Sequence, residues 1–343
     1  DALFRIFAPL CNAFDIKTSK YISIQNYKTF NESNLTLWKE SLLKQTDSEI
    51  YNFSLQETIV FAFEISDIEI DFLNNNDITW LSFSIHPLRF LDDLYFDIKS
   101  NLEIDFSNCN SSHARIEMCV QALYSRYRLK LNHNSQKSLC IIGQTPFDKS
   151  VFIDGDFKSL THYAKNLDEI CSNYNKIYYK PHPHLNCNEN SNFIRERYKS
   201  TDVNINNLYA FLIANPNMSV CAISSSVLDE AVYFGNKIHS LKKITKNKSL
   251  PIDYRKLISD SKLWQSIFKK NSIDQHNDLK EVIPQNFLRN FFNSWSFQSE
   301  INDVINDINY LTSKEYIKIS HFNELKNEFN DSCSKFILFD EKL

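Results

Sequence analysis

A dense group of polar residues follows a short apolar run near the middle of the chain. The run Leu139–Ile142 reads as a buried strand, and the segment Gly143–Ser150 comes directly after it. Because Gly143 and Pro146 force an irregular turn, we expect Asp148 at the carboxyl edge of a sheet. A carboxylate in that position can act as a nucleophile or as a base. It can equally cap the turn that follows, and the sequence leaves both interpretations open.

A second group follows the next predicted strand. Lys180 and His182 stand at its end, and Pro181 and Pro183 flank the histidine and stiffen its backbone. An imidazole that donates a hydrogen bond beside an ammonium group suits a phosphate. A loop histidine that merely packs is the alternative, and prolines on both sides count against it. We therefore predict that Lys180 and His182 contact a phosphate.

A third group is a run of three serines, Ser224, Ser225 and Ser226, between a predicted strand and a predicted helix. The N-terminus of a helix presents free N–H groups to an anion, and serine hydroxyls add donors. Ordinary N-capping is the alternative, although one serine would suffice for it. Glu230 lies about one turn into the helix. There it could face a ribose, or it could be a solvated carboxylate.

The first half of the chain carries a comparable group. Glu64 ends one predicted strand, and His86 and Arg89 follow the next one within a loop that also holds Asp92 and Asp93. A histidine, an arginine and two acids in one loop are enough for substrate binding. A structural ion pair between Arg89 and Asp92 or Asp93 is the alternative interpretation, and we weigh the two equally.

The elements that would position these residues alternate regularly from Leu139 to Ser240. Repeated strand–helix units predict a parallel, Rossmann-like sheet, with ligands at the carboxyl ends of its strands. The predicted strands are Leu139–Ile142, Lys176–Tyr179, Val203–Ile205, Ser219–Ile223 and Lys237–Ser240. The predicted helices are Phe157–Tyr174, Phe193–Tyr198, Leu208–Ala214 and Val227–Phe234.

The flanking parts of the chain are less regular. Strands are predicted at Thr58–Phe63 and Thr79–Phe83, and a helix at Met118–Leu131, which fits a second α/β domain. Beyond Ile252 the pattern is that of amphipathic helices. We therefore divide the chain into residues 1–135, residues 136–245 and a helical C-terminal segment of residues 246–343.

Composition narrows the class of protein. A net charge of −4 without a long Lys/Arg run counts against a nucleic-acid partner. The sequence contains no stretch of eighteen apolar residues, so no transmembrane helix is predicted. The eight Cys contain no C-x-x-C pair, which favours small buried residues of a reduced, cytoplasmic protein over a zinc ribbon or a disulfide scaffold. Because the chain begins without Met, we expect it to be part of a larger, multidomain protein or a trimmed form of one.

Taken in order, these segments resemble the retaining β-Kdo transferases of the KpsC and WbbB type, which build capsule linkers and some O-antigens in Gram-negative bacteria. That family shows G-Q-x-x-x-D-x-S, then K-P-H-P, then serines followed by E-A and a glycine. Upstream it shows an F-E strand end and an H-P-x-R-F-x-D-D segment. The K-P-H-P motif alone is weak evidence for this family, because other GT-B transferases carry it. The matching positions here are Phe63-Glu64, His86–Asp93, Gln144, Asp148, Lys180–Pro183, Ser224–Ser226, Glu230-Ala231 and Gly235.

The resemblance implies an α/β fold of the GT-B type, in which two Rossmann-like domains face a cleft. Residues 1–135 would form the acceptor side and residues 136–245 the CMP-sugar-binding domain. The implied donor is CMP-β-Kdo, with CMP as product and no cofactor or metal. The implied acceptor is a glycan, including a lipid-linked one, in capsule, O-antigen or lipopolysaccharide biosynthesis. The implied location is the cytoplasm, including the inner face of the membrane.

The resemblance also assigns roles to residues. Asp148 would be the nucleophile of a double displacement, and Glu64 a candidate acid/base near the acceptor or donor sugar. Lys180, His182 and the serines would hold the phosphate of the departing CMP. The remaining implied substrate contacts are Gln144, Glu230, His86 and Arg89.

The chain departs from the family pattern at two places. The segment Ile65–Asp67 lacks a proline, and Lys149 takes a position that is usually small. Three alternatives stay open: an inverting CMP-sialic acid transferase, in which Asp148 would be a general base, a transferase of CDP-linked polyol phosphates, and a nucleotide- or glycan-binding module without catalysis. The segment around Gln144 and Asp148 favours Kdo transfer.

Overall fold

The first part of the chain forms a small mixed sheet with helices around it. The computed structural model describes residues 2–13, 39–40, 42–43, 59–127, 137–182, 188–203, 207–242, 249–269, 283 and 286–292. The elements of the first part are helix α1 (Ala2–Ala13), strand β1 (Ile59–Phe63), helix α2 (Asp67–Asn75), strands β2 (Thr79–Ile85) and β3 (Phe96–Ser100), and helix α3 (His113–Tyr127). Strands β1 and β2 are parallel, and β3 is antiparallel to β2. The two predicted strands are confirmed over their described residues. The predicted helix is confirmed for Met118–Tyr127, begins earlier at His113, and its residues 128–131 lie outside the described ranges. Elements α1, α2 and β3 were not predicted.

The second part contains the strand–helix alternation. Its elements are β4 (Ser138–Ile142), β5 (Phe152–Ile153), β6 (Asp156–Phe157), α4 (Ala164–Cys171), β7 (Lys176–Lys180), α5 (Asn188–Tyr198), β8 (Thr201–Asp202), α6 (Leu208–Ala214), β9 (Ser219–Ala222), α7 (Val227–Tyr233), β10 (Lys237–Ser240), α8 (Tyr254–Ser259), α9 (Ser261–Lys269) and α10 (Phe287–Phe291). Short 3-10 turns cover Lys149–Val151 and Leu160–Tyr163. Within the described ranges, no helix is both long and apolar enough to cross a membrane.

Five of these strands form one parallel sheet, in the order β10-β9-β4-β7-β8. Numbered by their position in the chain, they run 3-2-1-4-5 from β8 to β10, which is the strand order of a Rossmann-like sheet. The prediction of a parallel, Rossmann-like sheet from Leu139 to Ser240 is therefore confirmed. In the first part the described strands form only the three-stranded mixed sheet. The boundaries at residues 135 and 245 remain predictions.

The central strand of the parallel sheet is apolar on both faces. Leu139, Cys140 and Ile141 in β4 have no exposed surface. Leu139 and Ile141 pack into a cluster with Leu167 of α4, whereas Cys140 packs on the other face. The second cluster holds side chains of α3, α6 and α7, including Leu123. Helices thus cover both faces, as a continuous apolar strand requires.

One predicted helix is partly wrong. The segment Phe157–Tyr174 forms an α-helix only at Ala164–Cys171, and its start belongs to the hairpin β5–β6. The reason is the turn Asp154-Gly155, in which both residues have positive φ, 53° and 76°. A two-residue Asp-Gly turn of this kind is strongly favoured in hairpins. The predicted strand Val203–Ile205 is shifted to β8, and its residues 204–205 lie outside the described ranges.

The helices that follow the sheet pack back onto the first part of the chain. Leu257 of α8, Trp264 of α9 and Leu288 of α10 share one cluster with Phe83 of β2 and Ile6 of α1. The hydroxyl of Tyr254 donates to the carbonyl of Ile6 at 2.6 Å. The amphipathic helices predicted beyond Ile252 are confirmed for α8 to α10, and residues 293–343 lie outside the described ranges.

The segment after β2 connects the two sheets. Leu88, Phe90 and Leu91 are buried in the cluster on the α3 side of the five-stranded sheet. Phe90 contacts Phe234 at 5.3 Å between ring centroids, in a tilted arrangement. The loop with the predicted His86 and Arg89 is therefore fixed against the Rossmann-like sheet rather than free in solvent.

Candidate functional site

The carboxyl ends of β4 and β9 lie side by side where the strand order reverses. From β4 the chain continues on one side through β7 and β8, then crosses to β9 and β10 on the other. In sheets of this type ligands bind in the crevice at this switch point. The Gln144 side chain spans it: its Oε1 accepts from the Ser224 amide at 2.8 Å, and its Nε2 donates to Ser224 Oγ at 3.1 Å. These two predicted residues are therefore in direct contact.

Asp148 is exposed in the loop after β4. Its Oδ1 accepts a 2.7 Å hydrogen bond from the Ser150 amide and caps the 3-10 turn Lys149–Val151. The capping interpretation is therefore correct for this oxygen. Thr145 Oγ1 lies 3.4 Å from Oδ2, a long and weak contact. The cap fixes the carboxylate while leaving lone pairs of Oδ2 available for chemistry.

Glu64 lies directly after β1, and its side chain is half-buried. Its backbone amide donates to the Phe83 carbonyl at 2.8 Å and so extends the pairing of β1 with β2. Burial raises the pKa of the Glu64 carboxyl. The positive charges of Lys149 and Arg89 oppose that rise, and the negative charge of Asp148 adds to it. Glu64 thus lies close enough to Asp148 for the two carboxyl groups to influence each other.

Lys149 connects the two loops that carry these carboxylates. It follows Asp148 in the chain, and its Nζ donates to the backbone carbonyl of Glu64 at 3.3 Å. Burial lowers the pKa of the ammonium group, while the negative charges of Glu69, Glu64 and Asp148 oppose that change. In the sequence, Lys149 stands out only because it departs from the family motif. No sequence signal pointed to this contact, because it joins residues 85 positions apart.

The β7 loop approaches the β4 loop from the other side. The Gly143 amide donates to the Lys180 carbonyl at 2.8 Å. A Cβ atom on Gly143 would lie 2.7 Å from Tyr179 Oη and 3.3 Å from the His182 amide nitrogen, so a larger residue would require Tyr179 and the loop after β7 to shift. Lys180 and His182 are half-buried at the carboxyl edge of the sheet. The structure thus places the predicted phosphate residues in the loop beside that of Asp148.

The other two serines begin α7. Ser225 Oγ accepts from the Val227 amide at 3.3 Å, a local cap. Ser226 has helical backbone angles and makes no capping hydrogen bond with its side chain. Ser224 instead donates its hydroxyl to the Ser150 carbonyl at 3.0 Å, which ties this loop to the one that carries Asp148. The three serines therefore have different local roles at one edge of the sheet.

Glu230 is buried, with 2% of its surface exposed. This differs from both sequence interpretations, an open ribose site and a solvated carboxylate. Its Oε1 accepts from the Arg89 amide at 2.8 Å and from the Tyr209 hydroxyl at 2.7 Å. Burial raises the pKa of the Glu230 carboxyl to about 7, although both hydrogen bonds and the Arg89 guanidinium oppose the rise. Glu230 thus connects the β2 loop to α7.

His86 is also buried and engaged by the protein. Its Nδ1 accepts from the Leu88 amide at 3.2 Å, so the proton of the neutral ring belongs on Nε2, which contacts the Ser249 carbonyl at 3.1 Å. Burial lowers the pKa of the imidazole. Both ring nitrogens are therefore used within the protein, and His86 shapes the loop on which Arg89 stands.

The Arg89 guanidinium is influenced by two nearby carboxylates. Burial lowers its pKa, and the charges of Glu230 and Glu64 oppose that change most strongly. Its NH2 group is 3.4 Å from the Ile85 carbonyl, and within the described part of the chain its buried Nε has no hydrogen-bond partner. The predicted alternative, an ion pair with Asp92 or Asp93, is wrong: Asp92 pairs with Arg115 instead.

Asp93 and Arg289 also fix the loop after β2. Asp93 accepts from the amides of Leu94 at 2.7 Å and Asn286 at 3.0 Å. Arg289 of α10 is fully buried, and its guanidinium donates to the carbonyls of Arg89 at 3.1 Å and Leu91 at 2.6 Å. Sequence analysis missed Arg289, since nothing near it in the chain marks its role.

The arrangement brings Gln144, Ser224, Asp148 and Glu64 to one region at the carboxyl ends of β1, β4 and β9. Cationic groups of Lys149 and Arg89 lie beside the carboxylates. Among the described residues, no three His, Cys, Asp or Glu side chains form a group that could hold a metal ion. Two carboxylates near the switch point of a parallel sheet can support nucleophilic and acid/base chemistry on a bound ligand.

No protein-family model matches the chain, and no curated protein matches it. Among solved structures, it is similar to a protein described as "Thermosulfurimonas dismutans KpsC, beta Kdo 2,7 transferase". The sequence identity is 13% and the TM-score is 0.34. The match covers 58% of this chain and 88% of that chain.

Proposed function

We propose that this protein is a glycosyltransferase that moves Kdo from CMP-β-Kdo to a glycan acceptor with retention, through an intermediate linked to Asp148. The proposed setting is the assembly of bacterial capsule or O-antigen on the cytoplasmic side of the inner membrane. The proposed acceptors are glycans, including lipid-linked glycans. Supporting it are the family motifs in order and the placement of Gln144, Asp148 and Ser224 at one edge of the five-stranded sheet, with Glu64 linked to that edge through Lys149.

The observation that carries the proposal is the proximity of Glu64 and Asp148. They come from different sheets, yet the neighbour of Asp148 in the chain, Lys149, contacts the backbone of Glu64 at 3.3 Å. The Asp148 charge also contributes to the raised pKa of Glu64. A double displacement needs a nucleophile and a separate acid/base, and two carboxyl groups with different environments provide them.

In the first step, Oδ2 of Asp148 attacks the anomeric carbon of Kdo. The bond from that carbon to the phosphate oxygen breaks, and CMP departs with the bonding electron pair. Lys180, His182 and the serine hydroxyls would stabilise the phosphate by charge-assisted hydrogen bonds. The cap from the Ser150 amide holds Asp148 in place, and such positioning contributes much of the rate in reactions of this kind.

In the second step, an acceptor hydroxyl attacks the same carbon from the opposite face. The ester bond to Asp148 breaks and restores its carboxylate, while Glu64 takes the proton of the acceptor hydroxyl. Two inversions give net retention. A carboxyl group whose pKa is raised by burial is a stronger base than an exposed one, which suits Glu64 to this role.

The test is mass spectrometry of the intact protein after incubation with CMP-Kdo, generated in place, without acceptor. We expect a mass gain of one Kdo residue, located to the peptide that contains Asp148. Asp148→Ala should lose both the adduct and transfer but still bind CMP in isothermal titration. Asp71→Ala, which changes an exposed carboxylate on α2, is the matched control and should form the adduct normally.

Other outcomes would identify the alternatives. Transfer with inversion, or an adduct that forms equally in Asp148→Ala, would refute the double displacement and favour a sialyltransferase-like mechanism. Turnover of a CDP-linked polyol phosphate without turnover of CMP-Kdo would favour the polyol phosphate transferase. CMP binding without turnover of any donor would favour a binding module.

A further inference from the structure

The backbone of Glu64 has an unusual conformation. Its φ angle is +51°, in the left-handed region that non-glycine residues rarely adopt. Such a conformation is strained and persists only where the surroundings enforce it, often at functional sites. In this position the left-handed turn redirects the chain at the carboxyl end of β1 and so determines where the Glu64 carboxyl group points.

Two contacts hold that conformation from opposite sides. The Glu64 amide donates to the carbonyl of Phe83, a residue in the sheet of the first part of the chain, at 2.8 Å. The Glu64 carbonyl accepts from Nζ of Lys149, a residue in the loop after β4, at 3.3 Å. The Lys149 contact is therefore the one that relates Glu64 to the loop of Asp148.

The charges around Lys149 agree with this geometry. Lys149 is half-buried and interacts with Glu69, Glu64 and Asp148. Glu69 is itself fixed, because its carboxylate accepts from the Ser66 amide at 3.1 Å in the capping box of α2. One ammonium group thus interacts electrostatically with three carboxylates from two parts of the chain. The other cation near Glu64 is Arg89.

We infer that Lys149 is a positioning residue for the transfer reaction: it holds Glu64 in its left-handed conformation and sets the placement of the Glu64 carboxyl group relative to Asp148. The inference rests on the proposed function, since it assigns Lys149 a part in the same two-step reaction. Lys149 itself touches neither reacting atom; it acts through Glu64.

The charges of Asp148 and Glu64 link the two steps electrostatically, beside a constant positive charge on Lys149. When Asp148 forms the ester with Kdo, its negative charge disappears, and with it one of the causes that raise the pKa of Glu64. Lys149 keeps its positive charge beside Glu64. Glu64 is therefore more readily ionised once the intermediate has formed, which is when a base for the acceptor hydroxyl is needed.

The deciding experiment measures the titration of Glu64 directly and needs no donor. Carbon-13 NMR of side-chain carboxyl groups, assigned with Glu64→Gln, is recorded against pH for wild type, Lys149→Met, Lys149→Arg and Lys165→Met. We expect Lys149→Met to raise the pKa of Glu64, because one of two opposing cations is lost, and Lys149→Arg to restore it. The control Lys165→Met removes an exposed cation on α4 and should change nothing.

Kinetics provide the second measurement. With CMP-Kdo and acceptor, Lys149→Met should lower kcat by about 100-fold, the scale of a misplaced catalytic group, without raising KM for the donor. In a Glu64→Gln background the same change should have little further effect, because Lys149 acts through Glu64. If Lys149→Met fails to fold, Lys149→Gln takes its place with the same expectations.

The two proposals can fail separately. An unchanged Glu64 titration in Lys149→Met overturns the inference, whatever the donor. Equal kinetic losses in the wild-type and Glu64→Gln backgrounds also overturn it, since Lys149 would then act independently. A shifted titration in a protein that never forms a Kdo adduct supports the placement of Lys149 beside Glu64 and refutes Kdo transfer.

Discussion

The buried carboxyl group of Glu230 should make stability depend on pH in an unusual direction. Its pKa in the folded protein is about 7, against an ordinary value of 4.5. Between these values the folded protein binds a proton that the unfolded chain has released. The free energy of unfolding contributed by this group is therefore fully present below pH 4.5 and is lost as pH rises through 7.

The size of the effect follows from the shift. A rise from 4.5 to about 7 corresponds to about 3 kcal/mol. Glu230→Gln keeps an amide oxygen for the Arg89 amide and the Tyr209 hydroxyl but carries no charge at any pH. We expect the stability of Glu230→Gln relative to wild type to increase by about 3 kcal/mol between about pH 4 and about pH 8.

Urea unfolding of both proteins across this range measures the effect. Glu196→Gln, an exposed glutamate on α5, is the matched control and should follow the wild-type curve. Parallel curves for wild type and Glu230→Gln would show that Glu230 does not titrate in this window, and the reasoning from its burial would be wrong. Comparing slopes avoids the constant cost of burying the new amide group.

Two further changes test the proposed CMP site. His182→Ala should weaken CMP binding by roughly 1.5–3 kcal/mol, or about 10- to 150-fold, in isothermal titration. An unchanged affinity would remove His182 from the site. His113→Ala, which changes an exposed histidine on α3, is the control. Gly143→Ala places a methyl group 2.7 Å from Tyr179 Oη. It should cost about 1–3 kcal/mol of stability and weaken CMP binding as the β7 loop moves; unchanged unfolding by urea would show that the loop adapts freely.

The Rossmann-like sheet could be predicted because its signals are local. Apolar runs such as Leu139–Ile142 identify the strands, and the residues that follow them end up at one edge by topology alone. Helix α2 could also have been found, since Ser66 and Glu69 form the sequence signature of a capping box. The Asp154-Gly155 turn was equally readable and was overlooked.

The roles of individual site residues could not be predicted in the same way. Glu230 was expected at a surface, but it accepts from the amide of Arg89, 141 residues away. His86 contacts the carbonyl of Ser249, 163 residues away. Whether a polar side chain faces a ligand or another part of the protein depends on such distant partners, and periodicity contains no information about them.

The core shared by α1, β2 and helices α8 to α10 also determines when different parts of the chain can fold during synthesis. Tyr254 meets Ile6 across 248 residues, and the whole five-stranded sheet lies between them in the chain. A ribosome therefore releases Phe83 and its neighbours long before Trp264 exists to cover them. The Rossmann-like sheet, whose strands follow one another closely, can form first, and α1 and β2 then pack against α8 to α10 when these helices emerge. Truncation after residue 245 would leave Phe83 and Ile6 without these partners, so a shortened protein should be prone to aggregation even though its sheet is complete.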